Sequence, residues 1–64
     1  MKFSIGDMFV EATSAEKNIF WIFVRQDAKG LHLEAGKRKI AHSTRFQLKH
    51  LISCGIYQYF PVVK

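Results

Sequence analysis

The first half of the chain has the hydrophobic pattern of short β-strands. Residues 8–13 follow a Gly-Asp turn signal and are predicted to form a first strand, with Met8, Val10 and Ala12 on one face. Residues 18–25 contain six large apolar side chains in succession, and the segment is too short and too uniformly apolar for an amphipathic helix. It is predicted to form a second strand.

Loops and turn signals separate this strand from its neighbours. A polar loop is expected at 14–17, before the second strand. Residues 27–30 (DAKG) favour a type I turn closed by a left-handed glycine, and the alternating segment 31–35 then forms a third strand. The Gly-Lys pair at 36–37 suits a two-residue hairpin that returns residues 38–42 as a fourth strand.

The apolar spacing changes to that of a helix in the last third of the chain. Thr44, followed three residues later by Gln47, is typical of a capping box, and the helix is expected to end at Gly55 after about ten residues. Its apolar side consists of Leu48, Leu51 and Ile52. Residues 56–60 read as a last strand, and Pro61 marks its edge or end because proline has no backbone N–H to donate.

These elements predict one small domain over residues 1–64, mainly β with one short helix. Short consecutive antiparallel strands remove their exposed edges by curling into a barrel, which the helix can plug at one end. The Ile-Gly-Asp entry at 5–7, the hairpin-linked strands, the Leu-x-x-Leu-Ile helix before Gly55 and the aromatic last strand resemble Src-homology-3-like or Tudor-like small barrels. The expected fold is therefore a five-stranded antiparallel barrel of order β-β-β-β-α-β, of a kind frequent among phage and mobile-element proteins.

The apolar run at 19–24 has more large side chains than one small core can hold. Alternate residues of a strand point to opposite faces, so only half of the run can be interior. The interior set is either Phe20, Ile22 and Val24 or Ile19, Trp21 and Phe23. The outward set is then covered by the helix and the chain ends, used for self-association, or exposed as an aromatic platform.

The charged residues indicate which class of partner the protein would bind. Ten Lys and Arg against five Asp and Glu give a net charge of +5, with a pI near 9.7. Five of the ten basic residues fall within positions 37–49, where there is no acid. A basic surface of this kind serves solubility in many small proteins, but it also makes polyanions plausible partners.

We therefore expect a non-enzymatic protein that binds DNA or RNA through cations and stacking aromatic rings. The candidate phosphate-binding residues are Arg25, Lys37, Arg38, Lys39, Arg45 and Lys49, and the candidate stacking residues are Trp21 and Tyr57. Phe46 lies among basic residues on the helix and is expected to fold under the first turn into the core, the alternative being that it is exposed within a basic surface. The alternative is a regulator or adaptor that docks on a host protein through the apolar strand face, or a homodimer formed by that face.

Other classes of protein find little support in the sequence. The single Cys54 allows no internal disulfide and no CxxC motif, which favours a reducing compartment such as the cytoplasm. The N-terminal residues lack the apolar core of a signal peptide, and no apolar run approaches the roughly 20 residues that span a bilayer. We expect no cofactor, no metal site and no enzymatic activity, because the carboxylates are scattered and His50 with Cys54 makes only one ligand pair.

Overall fold

The computed structural model describes residues 2–13 and 17–63. The elements follow one another as β1 (Met8–Ala12), β2 (Asn18–Asp27), β3 (Gly30–Ala35), β4 (Arg38–His42), α1 (Arg45–Ser53) and β5 (Tyr57–Phe60). The mainly β class and the predicted order of elements are confirmed. Most of the loop expected at 14–17 lies outside the described residues. None of the described residues belongs to a helix long and apolar enough to cross a membrane.

The five strands form a single antiparallel sheet in the spatial order β4-β3-β2-β1-β5. The sheet is open, since in the part of the chain that the structure describes β4 and β5 are its two edges. Helix α1 connects these edge strands along the chain and packs on both. At that end the His42 Nε2 atom of β4 lies 3.2 Å from the Tyr57 hydroxyl of β5. The edges therefore meet through side chains, and a closed barrel stays a prediction.

The pairing of β2 with its neighbours decides which half of the apolar run is interior. Trp21 lies opposite Phe9 of β1, and Phe23 lies opposite Leu33 of β3. These four side chains are buried in one core with Leu31, Leu48 and Tyr57. Side chains alternate along a strand, so Phe20 and Ile22 point to the other face, and both are exposed there.

Strand β1 contributes Phe9 to the core. The sequence pattern grouped the even-numbered residues of this strand on one face and assigned no role to Phe9. Phe9 has no exposed surface, and its ring stacks 5.3 Å from that of Tyr59 in β5. Met8, Val10 and Ala12 do share a face, as predicted, but it is the outer face of the sheet. The inner face therefore holds an aromatic core, and α1 covers it with the fully buried Leu48.

A buried carboxylate ties the two ends of the described chain to the sheet. Asp7 is 1% exposed. Its side chain accepts hydrogen bonds from the Ser4 N–H at 2.8 Å, the Tyr59 hydroxyl at 2.7 Å and the Val62 N–H at 2.9 Å. Buried charges are stable only when they are well hydrogen-bonded, so these bonds fix the segments before β1 and after β5 against the core.

The predicted turn and cap signals are present. Gly30 has φ +124, and a Cβ atom at that position would overlap the His42 carbonyl oxygen, so the turn after β2 requires glycine. At the start of α1 the Gln47 N–H points to the Thr44 hydroxyl at 3.4 Å, while the Gln47 side chain accepts from the Ser43 N–H at 3.0 Å. The Gln47 side chain thus reaches the residue before the N-cap, and the two contacts set where the helix begins and hence which of its residues face solvent.

Candidate functional site

The two aromatic residues expected to stack on bases are buried. Trp21 and Tyr57 are each 4% exposed and belong to the inner core. The Trp21 indole N–H donates to Glu11 Oε1 at 2.8 Å, and the Tyr57 hydroxyl contacts His42. Neither ring offers a free face, so this part of the sequence-based site is wrong. The reason is the register of β2, which turns Trp21 towards Phe9 and away from solvent.

The Tyr57 hydroxyl and the His42 imidazole form a polar contact inside the fold. Burial raises the pKa of Tyr57 to about 12, and the nearby Glu11 carboxylate adds to the effect. Burial also lowers the pKa of His42, against an opposing contribution from Glu11. A neutral phenol and a neutral imidazole are thus favoured where β4 and β5 meet. This cluster joins the two edges of the sheet.

The six predicted phosphate-binding residues are all exposed, but the structure distributes them over three places. Arg25 lies near the end of β2, where its Nε atom is 3.5 Å from Asp27 Oδ2. Asp27 is also hydrogen-bonded to His32 at 2.7 Å, and this bond, followed by that from the Lys29 N–H, lowers its pKa. Arg25 therefore stands beside a carboxylate that remains ionised, which weakens its attraction for a phosphate.

The cations at the β3–β4 turn do not form one patch. Lys37 lies in the turn itself, and the next two residues begin β4. Arg38 is paired with Ala35 and Lys39 with Glu34, so adjacent side chains point to opposite faces of the sheet. Lys39 also stands beside an acidic residue on its face. These cations add to the positive field of the molecule but do not converge on one ligand position.

Helix α1 brings the remaining cations together around an aromatic ring. A hollow of about 260 Å³ is lined by Lys2, Arg45, Phe46 and Lys49, which we call the α1 basic surface. None of these four residues is acidic. Phe46 is 64% exposed, and the Arg45 guanidinium carbon lies 5.4 Å from the centre of its ring. The expectation that Phe46 folds into the core is therefore wrong.

The helical repeat explains why these residues share a surface. Leu48 is fully buried, and a residue two positions earlier lies roughly 200° away around the axis, so Phe46 faces solvent. Arg45 and Lys49 are four residues apart and lie on one side of the helix, one turn from each other. The first turn of α1 contains no acidic residue, so the positive end of the helix dipole is not offset there.

Two of the four residues in this surface were missed by the sequence-based site. The position of Phe46 could have been found from the phase of the helix relative to Leu48. Lys2 could not, because its place depends on the N-terminal segment, where the Phe3 ring packs edge-on at 5.4 Å from both Phe9 and Tyr59. That anchor is a contact between distant parts of the sequence, and no local pattern predicts it.

A second exposed surface lies on the outer face of the sheet. It consists of Phe20, Ile22 and Phe60, which we call the outer apolar face. Met8 is paired with both Ile22 and Phe60, so Ile22, Met8 and Phe60 lie in one row across β2, β1 and β5. Phe20 is 54% exposed and also borders a cleft of about 630 Å³ between the start of β2 and the β3–β4 turn. Helix α1 packs against the inner core and does not cover this row.

The remaining candidate chemistry is sparse in the described residues. Cys54 is exposed, with its Sγ atom 3.3 Å from His50 Nε2 at the end of α1. No group of three or more His, Cys, Asp or Glu side chains among residues 2–13 and 17–63 is placed to hold a metal ion.

No protein-family model, curated protein or solved structure matches this chain. The class of protein is therefore defined by its own fold and surfaces: a small β domain with one basic and one apolar exposed surface.

Proposed function

We propose that this protein is a non-enzymatic nucleic-acid-binding domain, and that it binds through the α1 basic surface. The observation that carries the proposal is the hollow in which Lys2, Arg45 and Lys49 surround the exposed Phe46 ring. Cations hold phosphates and an aromatic face stacks on bases, so one small surface supplies both interactions of nucleic-acid recognition. The basic cluster at the β3–β4 turn and the net charge of +5 would attract the polyanion at longer range.

This binding would depend strongly on salt. Each phosphate neutralised by a cation releases condensed counterions, so three contacts to a single strand give a slope of log K against log salt of about −2. Cations at the β3–β4 turn would steepen that slope without being required for the local contact. The scaffold we propose is a Src-homology-3-like arrangement, in which the strand edges approach each other beside α1.

Oligonucleotide binding by matched charge-reversal variants tests the proposal. Lys49→Glu and Lys29→Glu change the net charge equally, but only Lys49 lines the hollow. We expect Lys49→Glu to weaken binding about tenfold or more, because a charge-assisted contact is lost, and Lys29→Glu to have a much smaller effect. Fluorescence anisotropy with labelled oligonucleotides at low salt measures both. Undetectable binding by the native protein, or equal losses for the two variants, would overturn the proposed site.

The outer apolar face supports a second candidate function, docking on a protein. Phe20 and Ile22 stand exposed on β2 and Phe60 on β5, on either side of β1, and monomeric proteins rarely leave large apolar patches uncovered. The partner would be a host protein or a second copy of this chain. Phe20→Ser separates this function from the first, since it should abolish nuclease-resistant capture or concentration-dependent dimerisation while leaving oligonucleotide binding intact. If Phe20→Ser left capture and dimerisation unchanged but weakened oligonucleotide binding, the docking function would be rejected.

A further inference from the structure

We propose that the ligand of the α1 basic surface is single-stranded, with one unpaired base stacked on the Phe46 ring. This inference rests on the proposed nucleic-acid function and specifies its substrate class. It follows from the combination of an accessible phenyl face with cations on either side of it along the chain. In a duplex the faces of internal bases are already stacked on their neighbours, so an intact duplex can use the cations but not the ring.

The setting of Phe46 favours stacking over packing within the protein. The ring is 64% exposed at the first turn of α1, while the core below is filled by Leu48 and the aromatic residues of the inner face. The Arg45 guanidinium lies 5.4 Å from the ring centre and limits the orientations of the ring. A planar guanidinium is itself a stacking surface for bases, so Arg45 and Phe46 can hold neighbouring parts of one strand.

The composition of the hollow also limits what can be recognised. Among the described residues its lining consists of two lysines, one arginine and one phenylalanine, so its polar side chains are all hydrogen-bond donors and none can accept from a base edge. Lys2 and Lys49 act as point charges for phosphates. We therefore expect weak sequence preference and clear strand preference, since stacking accepts any base but requires an unpaired one.

The test compares a labelled single strand with the duplex of the same sequence, using the full chain and anisotropy at matched low salt. Phe46→Ala should weaken single-strand binding about 5- to 150-fold, the range for loss of one stacked base, and should change duplex binding little. Phe46→Tyr, which keeps the ring, should restore the affinity. Because Phe46 is exposed, all variants should remain folded, which circular dichroism verifies.

Salt titrations separate the contributions of the ring and the cations. Lys49→Ala should reduce the magnitude of the single-strand slope by roughly 0.7, while Phe46→Ala should leave that slope unchanged because it removes no charge.

The outcomes distinguish this inference from the proposed function on which it rests. Binding of the single strand and the duplex with equal affinity, both insensitive to Phe46→Ala, would overturn the single-strand inference and leave nucleic-acid binding in place. Absence of binding to either form would overturn the proposed function itself, and the inference with it.

Discussion

Replacing Asp7 with alanine should remove a large part of the stability of this fold. The carboxylate accepts hydrogen bonds from Ser4, Tyr59 and Val62 in a site closed to solvent. A hydrogen bond to a charged group contributes about 1.5–3 kcal/mol, and donors left without an acceptor in a buried site add a desolvation cost. Losses around one carboxylate are not additive, so we expect the free energy of unfolding to fall by about 3–5 kcal/mol.

That loss is large for so short a chain. At about 0.05–0.15 kcal/mol per residue, a domain of 64 residues has a total stability of roughly 3–10 kcal/mol. Asp7→Ala therefore approaches the limit at which the protein unfolds in water. The milder Tyr59→Phe removes one donor and should cost about 1–2 kcal/mol. A matched acid-removing control is Glu34→Ala in β3, for which we expect a change within about 0.5 kcal/mol.

Urea unfolding followed by fluorescence measures these effects, since Trp21 is the single tryptophan and is buried in the core. The double variant Asp7→Ala/Tyr59→Phe provides a further check. Once the carboxylate is gone the Tyr59 hydroxyl has lost its acceptor, so removing it should cost nothing more. A midpoint for Asp7→Ala close to that of Glu34→Ala, or a full additional loss in the double variant, would refute the anchoring role.

Three other outcomes follow from the same structure. Tyr57 and Tyr59 have pKa values raised to about 12, chiefly by burial, above the unfolded value near 10. The stability that these two groups contribute should therefore be fully present below pH 10 and be lost as the pH rises through 12, which the free energy of unfolding from urea titrations at alkaline pH measures. Gly30→Ala should destabilise far more than Gly36→Ala in thermal unfolding, because an added Cβ meets backbone at position 30 and open space at position 36. Phe20→Ser should leave the free energy of unfolding within about 0.5 kcal/mol of the native value while reducing dye binding to exposed apolar surface.

The sequence was sufficient to predict the elements, because each has a periodic pattern or a turn signal of its own. Residues close together in the chain determine the Asp-Ala-Lys-Gly turn and the helix start at Thr44 and Gln47. They also determine the order of the elements along the chain. The face of β2 was not predictable in this way. Every residue from 19 to 24 is apolar, so alternation divides them into two sets without indicating which set is interior.

Contacts between distant residues settle that choice. Phe9 and Tyr59 place an aromatic cluster on the inner face, and Glu11 on the same face accepts the Trp21 indole N–H. A tryptophan can be buried when its N–H finds a partner, so Glu11 permits Trp21 to point inwards, contrary to the expectation that its ring is free to stack on bases. A register shift between Phe23 and Arg25 then changes which side chains alternate along the rest of β2. No local sequence pattern predicts this shift.

The two exposed surfaces are built from separate parts of the fold, and this separation makes their proposed functions testable independently. The α1 basic surface comes from the helix and the N-terminal segment, whereas the residues of the outer apolar face belong to β2 and β5. Sites without shared partners usually behave additively. Phe46→Ala and Phe20→Ser remove one exposed ring each from the two surfaces, so a double variant should lose both binding activities only if the protein uses both. If either single change abolished both activities, the two surfaces would have to be coupled through the core that lies between them.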